Sequence, residues 1–136
     1  MPGSYLIDVP RRIVFSQAWG VLTDDEVISH ARTLRDDPRF EPTFRQVIDF
    51  RGLLEMKITT AGVRGVAERN PFRTDSRRAL VVASDEAFGM ARMDGSYSDS
   101  APDQFQVFRE LGPAMAWVGL DPATEWPRER PHAMFS

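Results

Sequence analysis

Residues 104–120, QFQVFRELGPAMAWVGL, decide the fold. Phe105, Val107 and Phe108 form a short apolar strand that runs almost directly into a helix. Pro113 suits a first helical turn, where its missing N–H has no partner to lose. Ala114, Trp117 and Val118 recur at i, i+3 and i+4 and share one helix face. Gly119 stands where a helix commonly ends in a left-handed residue, with Leu120 placed to fold back on the last turn. A strand feeding a helix in this way predicts a sheet protein covered by helices.

Upstream, residues 5–9 form an apolar run stopped by Pro10, and residues 13–22 form a second. Arg11 and Arg12 lie between them at a tight turn, so the pair reads as an antiparallel hairpin. Thr23-Asp24-Asp25-Glu26 matches a capping box, in which Thr23 accepts from the backbone of Glu26 and Glu26 reaches back to Thr23. Val27, Ile28, Ala31 and Leu34 follow at helical spacing, and Asp36-Asp37-Pro38 stops the helix. Asp24 and Asp25 suit the positive end of the helix dipole.

Residues 44–50 read as a third strand carrying Val47, Ile48 and Phe50, followed by a linker over 51–57. Thr59 then serves as N-cap of a second helix, with Ile58 and Val63 in the positions of a hydrophobic staple. Gly62 and Gly65 inside that helix cost about 1 kcal/mol each relative to Ala, which points to close packing against another backbone. Ala79-Leu80-Val81-Val82-Ala83 is apolar on both faces, the pattern of a central strand covered from both sides. Ser84 caps a third helix through Phe88-Gly89-Met90-Ala91-Arg92-Met93, and residues 95–103 form a loop. The predicted order is β-β-α-β-α-β-α-β-α: one α/β (α+β) domain with a mixed five-stranded sheet and about four helices. Residues 121–136, with Pro122, Pro127, Pro131 and Trp126, read as an extended Pro-rich tail.

Composition bounds the function. The chain has 136 residues, 42% hydrophobic and 27% charged, with a net charge of −3. One domain with a real core is expected. The acidic balance argues against a nucleic-acid partner. Cysteine is absent, which excludes disulfides, thiolate metal sites and cysteine nucleophiles. No apolar run approaches the roughly 20 residues that span a bilayer, and residues 1–12 lack a secretory signal pattern. The expected location is the cytoplasm, with no membrane partner.

The order of elements and several local stretches resemble the STAS-like fold of bacterial anti-sigma-factor antagonists, especially the SpoIIAA-like group of small proteins. The residues concerned are Gly20-Val21-Leu22-Thr23-Asp24-Asp25-Glu26, Gln46-Val47-Ile48-Asp49, Gly89-Met90-Ala91-Arg92-Met93, and Val107-Phe108-Arg109 leading into Ala114-Met115-Ala116-Trp117-Val118. The resemblance implies a STAS-like domain over residues 1–120. In the antagonists a kinase-like partner phosphorylates a hydroxyl at the start of the second helix, in a motif resembling Asp-Ser-Ser-Gly. Here Asp49 is followed by Phe50-Arg51-Gly52, and by helix position Thr59 or Thr60 is the equivalent hydroxyl. Phosphate at a helix start is electrostatically favourable.

No G-x-S-x-G, HExxH, Walker A or G-x-G-x-x-G occurs, and His30 and His132 stand far apart. Asp94 to Asp103 does not have calcium-loop spacing. Lys57 is the only lysine among 17 basic side chains. Arg51, just past a strand end, and Arg92, among apolar neighbours, are candidates to bind an anion, because guanidinium grips carboxylate or phosphate bidentately. Against this stands a structural ion pair of Arg51 with Asp49. Gly89, Met90, Met93, Phe108, Met115 and Trp117 would line an apolar ligand cavity or form core.

The expected function is that of a non-enzymatic binding domain. Its partner would be a protein or a second copy of the chain, and after that a small apolar or acidic ligand; no cofactor and no metal are expected. The alternative is an enzyme or sensor acting on a small acidic molecule held by Arg51 and Arg92, with Asp49 as general base.

Overall fold

A computed structural model of the chain describes residues 3–73, 75–84, 104–127 and 133–134. Its elements are β1 (Gly3–Asp8), β2 (Ile13–Thr23), α1 (Asp24–Asp36), β3 (Arg45–Lys57), α2 (Thr60–Glu68), β4 (Arg78–Val81), β5 (Phe105–Phe108), α3 (Leu111–Trp117) and β6 (Ala133–Met134). The helix expected after Ser84, and with it Arg92, Gly89, Met90 and Met93, lies outside the described residues, as does His132.

The strands form one mixed sheet in the order β5-β4-β3-β2-β1-β6. β1 runs antiparallel to both β2 and β6, whereas β2, β3, β4 and β5 are mutually parallel. The five predicted strands are all present, and the short β6 adds a sixth by pairing Ala133 and Met134 with Tyr5 and Ser4. The expected hairpin is β1–β2. Its turn closes with the Arg12 N–H donating to the Val9 carbonyl at 3.1 Å, and Arg12 takes a left-handed φ of 57°.

The two sheet faces bury separate cores. One face holds Leu6, Ile13, Phe15, Val47, Ala79 and Val81 beneath α3, which contributes Ala114, Met115 and Val118. Trp126 from the tail packs on the same cluster, its ring 5.4 Å from that of Phe15. Met115 and the partly buried Phe108 and Trp117 therefore belong to this core. On the other face lie Tyr5, Ile7, Val14, Phe44 and Phe72, with α1 contributing Leu34. Ala79, Leu80, Val81 and Val82 are buried as their pattern predicts, although β4 is one strand in from the edge rather than at the centre.

The end of α3 follows from its sequence. Gly119 has φ +89°, its N–H donates to the Ala116 carbonyl, and the Leu120 N–H reaches back to Met115 at 2.9 Å. This pair of bonds is the Schellman motif, which satisfies carbonyls the helix leaves open. Below that terminus the guanidinium of Arg45 donates to the Val118 carbonyl and that of Arg77 to the Trp117 carbonyl, placing cations at the negative end of the dipole.

Two sequence expectations are corrected. Thr23 is the N-cap of α1, but its side chain makes no backbone cap bond. The hydroxyl donates instead to the Glu26 carboxylate at 2.9 Å, so the two side chains that would have capped the helix satisfy each other. The expected linker over 51–57 is strand: β3 continues to Lys57, paired with β2 through Thr23. Two register shifts, between Gln17 and Trp19 and between Gly20 and Val21, let the longer strand follow the shorter one. Such bulges break the apolar-polar alternation on which strand recognition depends.

Candidate functional site

The overrun of β2 and β3 positions the candidate residues. β4 stops opposite Asp49, and β1 begins opposite Ala18. Beyond these limits residues 19–23 and 52–57 continue as a two-stranded ribbon. Its inner side is covered: Ala18 and Leu22 are buried with Val27, Phe50, Leu53 and Ile58 packed against them. Its outer side carries Trp19, Val21 and the bulge residue Leu54, which are 39%, 40% and 88% exposed. The described residues include one further exposed large apolar side chain, Val9, in the hairpin turn.

Asp49 and Arg51 stand at the base of this ribbon. The Arg51 guanidinium donates from Nε to Asp49 Oδ1 at 2.9 Å and from Nη2 to Oδ2 at 3.0 Å, and the Arg51 backbone N–H also donates to Oδ1. The backbone donor is thus turned toward a side chain where the β2–β3 register skips a residue. These hydrogen bonds raise the pKa of the guanidinium further and hold it charged. The pair forms a bidentate chelate that occupies the Nε–H and one Nη2–H of Arg51, two of the five donors a guanidinium carries.

Thr59 and Thr60, both exposed, open α2. Thr59 is the N-cap: its hydroxyl oxygen accepts from the Gly62 N–H at 3.0 Å. The same hydroxyl donates to Asp24 Oδ2 at 2.7 Å, and the Thr59 N–H donates to Asp24 Oδ1 at 2.9 Å. The Asp24 carboxylate therefore belongs to the starts of two helices, α1 and α2. A Cβ on Gly62 would lie 1.9 Å from Asp24 Oδ1, and one on Gly65 would lie 2.9 Å from Ile28 Cδ1. Close packing at these glycines was expected; the neighbour is side chains of α1 rather than backbone.

A polar line crosses the α1 face of the sheet between apolar clusters. The Arg78 Nε–H donates to Gln46 Oε1 at 3.1 Å, and Gln46 Nε2 donates to Ser16 Oγ at 3.0 Å. Ser16 Oγ then lies 3.1 Å from His30 Nε2. The Ser16 hydroxyl, with one donor and two lone pairs, can accept from Gln46 and still either donate to His30 Nε2 or accept from it, according to the tautomer. Burial, assisted by the Arg78 cation, lowers the His30 pKa to about 3. The Arg78 guanidinium is itself sandwiched 4.9 Å from the Phe72 ring and 5.5 Å from Phe105. Ser16 is 1% exposed and Gln46 2%, so this serine–histidine contact is closed to a substrate. Beside it, the Tyr5 hydroxyl donates to Asp37 at 2.8 Å; the Arg39 hydrogen bonds hold the Asp37 carboxyl well below the usual range.

Among the described residues no group of three or more His, Asp or Glu is close enough together to hold a metal ion, and no helix is long and apolar enough to cross a membrane. Sequence reading missed the exposed ribbon and the polar line. The available signals were the Leu53-Leu54 doublet, which breaks alternation, and Ser16 and Gln46, polar residues at inward strand positions.

No family model matches the chain, and no curated protein matches it. A solved structure does match. The crystal structure of an uncharacterised protein from the DUF3478 family, with a SpoIIAA-like fold, from Shewanella loihica PV-4 superposes with a TM-score of 0.55. The match is 15% identical and covers 85% of this chain and 94% of that one. At this identity the likeness establishes the fold alone, which is SpoIIAA-like, as the order of elements implied.

Proposed function

We propose that this protein is a non-enzymatic, STAS-like regulatory domain that works by contact with a protein surface. The observation carrying this reading is the ribbon's outer side, where Trp19, Val21 and Leu54 are exposed together. A cluster of exposed apolar side chains, with an aromatic anchor and a charged rim, has the composition of a recognition surface. The state of the polar residues points the same way. Arg51 is paired with Asp49, Thr59 with Asp24, and Ser16 is buried beneath α1 against His30 of that helix. The alternative, a small acidic molecule gripped by Arg51 and Arg92 with Asp49 as base, would have to compete with Asp49 for the Nε edge of Arg51 and free Asp49 from that pair. As a phosphorylation candidate Thr60 is the better placed of the two threonines, because phosphate on Thr59 would set a dianion against Asp24.

The test is photo-cross-linking in the native host with a photoreactive residue at Leu54, and at Glu68 on α2 as control. A discrete protein adduct from position 54 and none from position 68 is expected. Absence of an adduct at position 54 overturns the reading.

A further inference from the structure

We infer that the outer side of the β2–β3 ribbon is a self-association surface, and that the partner it fits is a second copy of this chain related by a two-fold axis. The inference rests on the binding role proposed above and names the partner. Its basis is the pattern of charge beside the apolar side chains. Asp49 and Arg51 neutralise each other. Glu55 and Lys57 remain, at register positions opposite Val21 and Thr23, both exposed and neither in an ion pair among the described residues. The surface therefore carries one available carboxylate and one available ammonium, with no net charge to repel its own copy.

A two-fold interface must be self-complementary, each residue meeting a partner residue that it meets in return. Glu55 and Lys57 satisfy this simply. They are two residues apart on one strand, roughly 7 Å along its length. A two-fold axis passing between them brings Glu55 against Lys57 of the second copy and Lys57 against Glu55, so one chain's unpaired charges become two reciprocal pairs. Val21 and Leu54 then lie beside the axis and Trp19 further along the ribbon, so that each copy's apolar side chains flank the charge pairs and are buried with them. A strongly basic or acidic partner would leave one of the two charges facing its like. The ribbon, residues 19–23 and 52–57, offers fewer residues than the roughly 20–30 a side of a standard interface. The association should therefore be weak and concentration-dependent, with a Kd in the micromolar range or above.

The experiment is sedimentation velocity on the full chain from low micromolar to several hundred micromolar, with amine cross-linking of the same samples. Lys57 is the only lysine, so a chain-to-chain cross-link between lysines reports on this surface alone. The wild type should pass from monomer to dimer and yield a Lys57–Lys57 link. Trp19→Ser should raise the Kd at least about tenfold. Glu55→Lys and Lys57→Glu should each raise it by roughly threefold, and the double exchange should restore it, an outcome that general loss of structure would not produce. A protein that stays monomeric throughout, or a dimer indifferent to these substitutions, overturns the inference. If photo-cross-linking at Leu54 then captures a different protein, self-association fails while the binding role stands. If it captures nothing, both fail.

Discussion

The lower and upper halves of β2 and β3 are built from similar residues and live in different surroundings. In the lower half Ile13, Val14, Phe15 and Val47 are at most 1% exposed, flanked by β1 and β4 and covered by α3 on one face and α1 on the other. In the upper half the flanking strands end, α3 does not reach, and Trp19 and Val21 along the same strand are about 40% exposed. Apolar character alone does not decide burial; the number of neighbouring strands and the reach of the helices do. The large apolar side chains that the fold leaves open are the ground of the binding role proposed above.

The comparison can be broken or sharpened by substitution. The largest effect is expected in the doubly covered half. Met115→Ala, at a side chain with 0% exposure, should cost about 2–5 kcal/mol in denaturant unfolding. A loss below 1 kcal/mol would show that the lower core is not tightly packed.

Acid should also weaken the covered half. The folded His30 pKa of about 3 lies below its ordinary 6.5, so the unfolded chain binds a proton that the folded chain refuses. The stability is whole above pH 6.5 and falls as the pH drops toward 3, by at most about 1.4 kcal/mol per pH unit. Asp37, whose carboxyl is depressed, adds its own loss only near and below pH 4, so the interval from 6.5 to 4.5 isolates the histidine. Over that interval His30→Gln should flatten the pH dependence of the unfolding midpoint; an unchanged slope would remove the histidine from the account.

Smaller again is Gly62→Ala. Its Cβ would collide with Asp24 and push α2 off α1, loosening the cover over the ribbon's inner side, at a cost of about 1–3 kcal/mol. Asp24→Ala in the same chain should recover part of this, and strict additivity would deny the contact. The smallest effect belongs to the open side. Leu54→Ser, at 88% exposure, should change the stability of the monomer by no more than about 0.5 kcal/mol. A larger loss would mean the ribbon's two sides are not distinct.

What the sequence discloses is what short range determines. The Schellman end of α3 is written in Gly119 and Leu120, the start of α2 in Thr59, and the helix contact in Gly62 and Gly65. The upper half of β3 is not written locally. Gly52, Glu55 and Lys57 have little preference for strand, and the segment is extended because β2 pairs with it; tertiary pairing overrides propensity there. The line from Arg78 through Gln46 and Ser16 to His30 depends on the registers of β2, β3 and β4 together, which no window of sequence contains. The Asp49–Arg51 contact was legible only as an alternative, an ion pair between opposite charges two residues apart at a strand end.

The pairing of β6 with β1 has a consequence for how the molecule assembles. It joins Ser4 to Met134, so its two residue pairs close a loop of nearly the whole chain, while β2 through β5 each wait for a crossover before pairing in parallel. Contacts so remote in sequence make folding slow, and the most remote form late because so few bonds offset the closure entropy. In native-state hydrogen exchange, the outer edge of β1 should therefore be the first part of the sheet to open.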